Sequence, residues 1–172
     1  MPARRKTTRS LKNPITTKKA SPLHQPDYKN YKSPDHYGEW LGYKVESADF
    51  KRFEAKLSLL VRREHLSSAG RVHGGVVAGF LDFACGAAVF TTLAPNDFCS
   101  TVDLKVSYFK PLFEGDVLEC QSRVIFRGKR LCSVIADVYR ISTTQSDSKL
   151  VSRTQPVAHA SATFNVVSPN VS

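Results

Sequence analysis

The sequence predicts an α+β fold, and two observations predict it. One long apolar run in the middle of the chain has the composition of a helix and is apolar on every side. Two strand candidates precede it and four follow, several with one apolar face. A curved antiparallel sheet of about six strands wrapped around one long central helix satisfies both facts.

The apolar run is Arg71 to Phe90, RVHGGVVAGFLDFACGAAVF. It is too long for a typical buried strand and is rich in Ala, Leu and Phe. Gly74 and Gly75 suit a loop-to-helix junction, where the backbone turns tightly or is approached closely. Pro95 lies beyond the far end, where a helix must have stopped. Being apolar all round, the helix is expected to be buried all round. A membrane span is the competing reading, but the run is short, holds three glycines within its first nine residues, and carries an acid near its middle. That acid is Asp82. A carboxylate in such surroundings is costly unless paired or hydrogen-bonded. Its helical neighbours Ala78, Gly79, Cys85 and Gly86 are small and offer no counter-charge, so its face is open to close approach.

The flanking elements follow in order. Ser33-Pro34-Asp35 can start a short helix that His36 to Leu41 completes before a C-cap at Gly42, with Trp40 packing on the domain. A first strand covers about Tyr43 to Ser47, Ala48-Asp49 turns, and Phe53 to Arg62 alternates as a second strand. Arg63 to Val72 is a polar loop. After the helix, Thr91 to Asp97 is a loop, and strands are expected at Cys99–Phe109, Val117–Phe126 and Leu131–Ile141. Gly128 suits a tight hairpin between the last two. Residues 142–155 lack periodicity, Pro156 cannot donate a ladder bond, and Val157–Val167 is a final strand.

Charge is uneven. Residues 1–44 carry ten Lys/Arg and three Asp/Glu, so most of the net +10 sits there. Residues 1–27 therefore form a basic, Ser/Thr-containing tail that cannot bury a core. Its composition suits a mitochondrial transit peptide, a solvated tail, or contact with nucleic acid or an anionic membrane. The domain itself, residues 28–167, is nearly balanced, so nucleic acid is not its expected partner. Residues 168–172 are a short C-terminal tail. The four cysteines, Cys85, Cys99, Cys120 and Cys132, show no CxxC pair and no zinc-ligand spacing. They point to free thiols in a reducing compartment, mitochondrial or cytoplasmic, with no metal. No apolar segment follows the first basic residues as a signal peptide would.

His73-Gly74-Gly75, then Asp82, then the strand Ser100 to Tyr108, then Lys110-Pro111 and Gly115-Asp116, form an ordered set. It resembles the hotdog-fold acyl-CoA thioesterases, in the PaaI-like branch related to 4-hydroxybenzoyl-CoA thioesterase. The resemblance spans roughly Tyr37 to Val166 and supplies the topology that the pattern alone leaves open. It implies hydrolysis of an acyl-CoA, with coenzyme A as part of the substrate and no separate cofactor. A helix N-terminus presents free N–H groups and partial positive charge, so Gly74, with Gly75, is the expected oxyanion donor. Asp82 is the expected general base or nucleophile. His73 either orders the glycine turn or touches substrate. The resemblance also assigns a water-positioning role to Ser67 and to Thr101, the latter holding either water or the carboxylate. The basic hairpin Arg127-Gly128-Lys129-Arg130 is the expected docking point for coenzyme A phosphates, or else an ordinary solvated turn.

Eight residues separate Gly74 from Asp82, about 12 Å along a helix axis. One carbonyl carbon cannot sit beside both on one helix. The two groups must therefore come from different subunits, which predicts a homodimer, alone or as a dimer of dimers, with two interfacial sites. Phe80, Phe83 and Phe90 either shape the pocket or fill the core, and core is the favoured reading. Two rivals stand beside hydrolysis. A hydratase of the same fold needs a different His/Asp motif that is absent here. A non-catalytic acyl-CoA-binding regulatory or scaffold protein has little need for an acid at position 82.

Overall fold

The computed structural model of the chain describes residues 35–141 and 155–168. The basic N-terminal tail, the possible transit peptide and the expected polar loop at 142–155, apart from its last residue, lie outside the described residues.

The first element, α1 (His36–Leu41), is capped at both ends as its sequence requires. The Asp35 carboxylate accepts from the Tyr37 N–H, and Gly42 closes the helix at φ 74°. Then come β1 (Lys44–Asp49) and β2 (Glu54–Leu60), paired antiparallel. The expected turn at Ala48-Asp49 falls later. β1 runs through Asp49, whose carboxylate accepts from the N–H groups of Lys51 and Arg52 at 2.8 and 2.9 Å. That local bonding holds the turn over residues 50–53 and leaves Phe53 at φ 57°, outside the strand it was expected to open.

A single turn of 3-10 helix at Arg63–His65 leads toward the central helix α2 (Gly74–Phe90). Four long strands follow: β3 (Phe98–Tyr108), β4 (Val117–Arg127), β5 (Leu131–Ile141) and β6 (Ala158–Val167). Each lies within one residue of its expected span. The six strands form one antiparallel sheet in the order β1-β2-β4-β5-β6-β3, which packs around α2.

Alternation builds the core. Leu57 and Leu59 of β2, Leu118 and Cys120 of β4, Val134 and Val138 of β5, and Ala160 and Phe164 of β6 all turn inward. They meet Val76, Val77, Phe80, Leu81, Ala84, Cys85, Ala88 and Val89 of α2, every one buried. Ser122 is the polar exception on that inner surface. Its hydroxyl donates to the Ala84 carbonyl at 2.6 Å, which ties the helix to the sheet.

The helix is not buried all round, and here the sequence expectation fails. One stripe, Gly75, Ala78, Gly79, Asp82, Phe83, Gly86, Ala87 and Phe90, is left half-buried or exposed by the described residues. The small residues on it carry no polarity to mark it as outward-facing, so its composition could not distinguish it from the covered face. Phe80 belongs to the core, whereas Phe83 and Phe90 lie on this open stripe.

Candidate active site

The site grows from three segments that converge on α2. The first is the approach to its N-terminus. His65 is fully buried. Its Nδ1 accepts from the Arg62 N–H at 3.1 Å, and its carbonyl accepts from the His73 N–H at 2.9 Å. Burial, followed by the nearby Arg62 guanidinium, pushes the His65 pKa below its ordinary 6.5, so it serves as a neutral brace. No motif marks His65 in the sequence; only its burial identifies it. Ser67 lies on the same loop. Its N–H and hydroxyl both donate to the Arg71 carbonyl, at 2.7 and 2.9 Å, so its hydroxyl closes the loop.

His73 is the N-cap of α2. Its Nδ1 accepts from the Gly75 N–H at 3.0 Å. The Gly75 N–H is therefore engaged by the cap, whereas the Gly74 N–H has no acceptor among the described residues. Of the two expected oxyanion donors, Gly74 is the one left available.

The second segment is β3, an edge strand that runs along the helix and touches it at two functional points. At one end the Thr101 hydroxyl donates to Asp82 Oδ1 at 2.8 Å. At the other the Tyr108 hydroxyl donates to the Gly74 carbonyl at 3.1 Å. A β-bulge makes the first contact possible. Leu104, Val106 and Tyr108 pair with Ala162, Ala160 and Ala158 of β6, all on the helix side. Strict alternation from them would turn Val102 inward and Thr101 away. The register slips between Thr101 and Asp103, so Thr101 pairs with inward-facing Phe164 and reaches Asp82, while Val102 is left 60% exposed. Tyr108 escaped the sequence reading because nothing local marks an aromatic at a strand end as a partner of a residue 34 positions away.

Asp82 is partly buried on the open stripe. Desolvation raises its pKa above the ordinary 3.8, and the Thr101 hydrogen bond works against that rise. A carboxylate held by one hydroxyl, more basic than usual and on a helix face the sheet leaves open, has the properties of a general base or nucleophile.

The third segment is α1, which lies across the open stripe beside Asp82. The Tyr37 ring rests on Gly79, where any Cβ would stand 2.2 Å from its hydroxyl oxygen. Tyr37 stacks on Trp40 and on Phe83, each with centroids 5.8 Å apart, and Trp40 meets His65 edge-on at 5.5 Å. Trp40 thus packs on the domain while staying 44% exposed.

The basic hairpin stands apart from Gly74 of its own chain. Arg127 donates to Thr92 just past the C-terminal end of α2 and to the carbonyls of Gly128 and Lys129, so its guanidinium stabilises the hairpin itself. Among the described residues a cavity of about 730 Å³ lies against β1, β2, β4 and β5 around Asp49, Lys56 and Asp137, away from Asp82 and Gly74. Another, of about 370 Å³, opens beside Gly74 and Tyr108.

The cysteines are all free. Burial pushes the Cys85 thiol to about 12 and the Cys99 thiol to about 11, and raises Cys120 and Cys132 as well. None is an activated nucleophile. Among the described residues no group of His, Cys, Asp or Glu is arranged to hold a metal ion, and no helix is long and apolar enough to cross a membrane.

A long helix enclosed by a curved antiparallel sheet is the hotdog fold, and here a glycine turn stands at the helix mouth with a hydroxyl-held carboxylate two turns on. Comparison with known proteins agrees. The family model described as the thioesterase superfamily matches residues 69–146. That stretch is similar to the thioesterase superfamily, and the chain as a whole has the hotdog fold. Its fold resembles that of a phenylacetic acid degradation-related protein from Ralstonia eutropha JMP134, at 25% identity and a TM-score of 0.63, covering 77% of this chain and 92% of that one. It also resembles a mutant form of the phenylacetic acid degradation protein PaaI from Thermus thermophilus, at 24% identity and a TM-score of 0.63, covering 76% of this chain and 98% of that one. Among curated proteins, one from Caenorhabditis elegans that bears an esterase name is 33% identical over 91 residues, 53% of each chain. The match spans about half the length of that relative.

Proposed function

We propose that the protein hydrolyses an acyl-CoA thioester at two sites formed across a homodimer interface. The observation that carries this reading is Asp82: a desolvated carboxylate, hydrogen-bonded to Thr101, on a helix face that the chain's own sheet leaves open.

The roles follow from geometry. The Gly74 N–H, free at the first turn of α2, receives the carbonyl oxygen as negative charge develops on it. Asp82 of the partner subunit takes a proton from water as the water oxygen bonds to the carbonyl carbon. The C–S bond then breaks, and the proton passes to the departing thiolate. Attack by the carboxylate itself, followed by hydrolysis of the anhydride, uses the same placement. Because α2 is one continuous helix, the roughly 12 Å between Gly74 and Asp82 stands. A twofold axis passing near Ala78 pairs Gly74 of each chain with Asp82 of the other. Gly75 and Ala78 on the open stripe let two such helices approach closely. In that arrangement the partner's hairpin lies beyond the mouth at Gly74, where Lys129 and Arg130 can meet the nucleotide end of coenzyme A.

The test is release of free thiol from a panel of acyl-CoAs by the full-length chain. Asp82→Asn is expected to lower kcat by about two orders of magnitude or more while the protein stays folded. Thiol release by Asp82→Asn at the wild-type rate would remove the carboxylate from the mechanism. A wild-type protein that binds CoA esters without hydrolysing them would instead support the non-catalytic reading.

A further inference from the structure

The β4–β5 hairpin carries a surface that the mechanism above does not explain. On β4, Val124 packs inward against the core, so strict alternation would turn Ile125 out and Phe126 in. The register slips between Val124 and Phe126. Phe126 then pairs with Ser133, which lies between the buried Cys132 and Val134. Ile125 and Phe126 are both left outside, 53% and 59% exposed, and Leu131 across the turn is 49% exposed. Gly128 completes the tip. Its N–H donates to the Leu131 carbonyl at 2.8 Å, and a Cβ on it would lie 3.1 Å from the Phe126 ring. The same tip is basic. Lys129 and Arg130 are exposed, and among the described residues neither forms an ion pair. From Cys120 to Ala136 the chain holds four Lys/Arg and no Asp or Glu. Three large apolar side chains and two unpaired cations therefore share one turn whose shape Arg127 fixes through its bonds to the Gly128 and Lys129 carbonyls.

We propose that this hairpin docks the protein on an anionic lipid bilayer, with Ile125, Phe126 and Leu131 entering the interface and Lys129 and Arg130 meeting lipid phosphates. Apolar side chains bordered by Lys and Arg match the two layers of such a surface, acyl chains beneath and negative headgroups above. A guanidinium presents paired donors to phosphate oxygens, and an ammonium adds a mobile point charge. The net charge of +10 draws the whole chain toward the same surface. Charge also decides against a second copy as the occupant. Two such tips packed on each other would set Lys129 and Arg130 of one chain against their counterparts in the other, and like charges so placed repel. The protein would lie on the bilayer and not span it, in keeping with its helices. The docking does not depend on the thioesterase reading. Lys129 and Arg130 serve coenzyme A in that reading, so lipid binding is measured without substrate.

The experiment is co-sedimentation of the full-length chain with vesicles of phosphatidylcholine alone and of phosphatidylcholine mixed with phosphatidylserine. Four proteins are compared: wild type, Phe126→Ser/Leu131→Ser, Lys129→Gln/Arg130→Gln, and a control, Lys44→Gln/Lys51→Gln, which removes two exposed cations elsewhere. The wild type is expected to bind the mixed vesicles and to bind phosphatidylcholine alone far more weakly. Each hairpin pair should lower binding to the mixed vesicles about tenfold or more, and the control should stay within about twofold of wild type. Equal losses in the control and the Gln pair would reduce the effect to net charge and sink the assignment, as would full binding by the Ser pair. Binding of the wild type to neither vesicle ends it outright. Depth is read separately with Phe126→Trp and brominated lipids, which holds even where the Ser pair fails to fold. Quenching beyond that of the wild type places the side chain among acyl chains, and none keeps it out of the bilayer and refutes the proposal. Sedimentation velocity without lipid tests the rival occupant: a smaller assembly for the Ser pair than for the wild type would give the patch to a second copy instead.

Discussion

Asp82 depends on one neighbour. The Thr101 hydroxyl stabilises the charged carboxylate, opposing the desolvation that raises its pKa. The general-base step needs the deprotonated form, so the rate should rise with pH along an acid limb set by Asp82. Thr101→Val deletes the bond that lowers the pKa, and the limb should move to higher pH. Thr101→Ser keeps a hydroxyl and should leave the limb near its wild-type position. A pH–rate profile of kcat for the three proteins checks this; an unmoved limb in Thr101→Val would show that the hydroxyl serves only the strand. His73 works differently. Its ring holds the Gly75 N–H, so it caps the helix and thereby aims the glycine turn. The motif His-Gly-Gly marks the place, but it does not say which N–H the cap consumes and which it leaves.

At the scale of elements, three pieces fix the surroundings of the site: α2 carries it, β3 braces it at both ends, and α1 lies across its open face. The docking of α1 depends on Gly79. A methyl there would stand 2.2 Å from the Tyr37 oxygen, so the ring must leave the helix and give up its stacks on Trp40 and Phe83. Gly79→Ala is therefore expected to destabilise the protein by about 1 kcal/mol, the worth of such aromatic contacts. In a Tyr37→Ala background the same change should stabilise it by up to about 1 kcal/mol, because Ala is the better helix former. Melting temperatures of the four proteins give the cycle. Destabilisation of equal size in both backgrounds would show that another surface covers Gly79. The elements were largely legible. α1, α2 and the four long strands lie within a residue or so of expectation, because capping residues and alternating burial are written locally. The β1–β2 turn was not, since Asp49 bonds forward to Lys51 and Arg52 and competes with the ladder. The bulge at Val102 was invisible as well, because a one-residue slip is decided by pairing with β6.

For the whole molecule the decisive quantity is assembly. The open stripe of α2 adjoins β3, which is an edge strand among the described residues, and Asp82 on that stripe is where the two meet through Thr101. The test of a shared site can be made clean at Gly74. It is the first residue of α2 and follows a residue in extended conformation (His73, φ −66°, ψ 134°), a position where proline is well tolerated. Gly74→Pro thus removes the N–H with little damage to the helix, and activity should fall by about 10² to 10³. Asp82→Ala subunits should be equally inactive. Mixed dimers of the two carry one intact site, with Gly74 from the Asp82→Ala chain and Asp82 from the Gly74→Pro chain. A heterodimer isolated by two affinity tags should regain about half of wild-type activity, because one of its two sites is whole. No recovery would place both groups in one subunit's site.

The sequence by itself determined the class of fold, the position of the central helix, the glycine turn at its start and the lone acid within it, because each is a local pattern: periodicity, capping, a charge in an apolar run. Tertiary structure alone decided which helix face the sheet leaves open, that Thr101 rather than Val102 turns toward Asp82, and that His65 and Tyr108 brace the helix mouth. Those outcomes depend on which strands pair, in which register, across many intervening residues, and no local stretch of sequence carries that information.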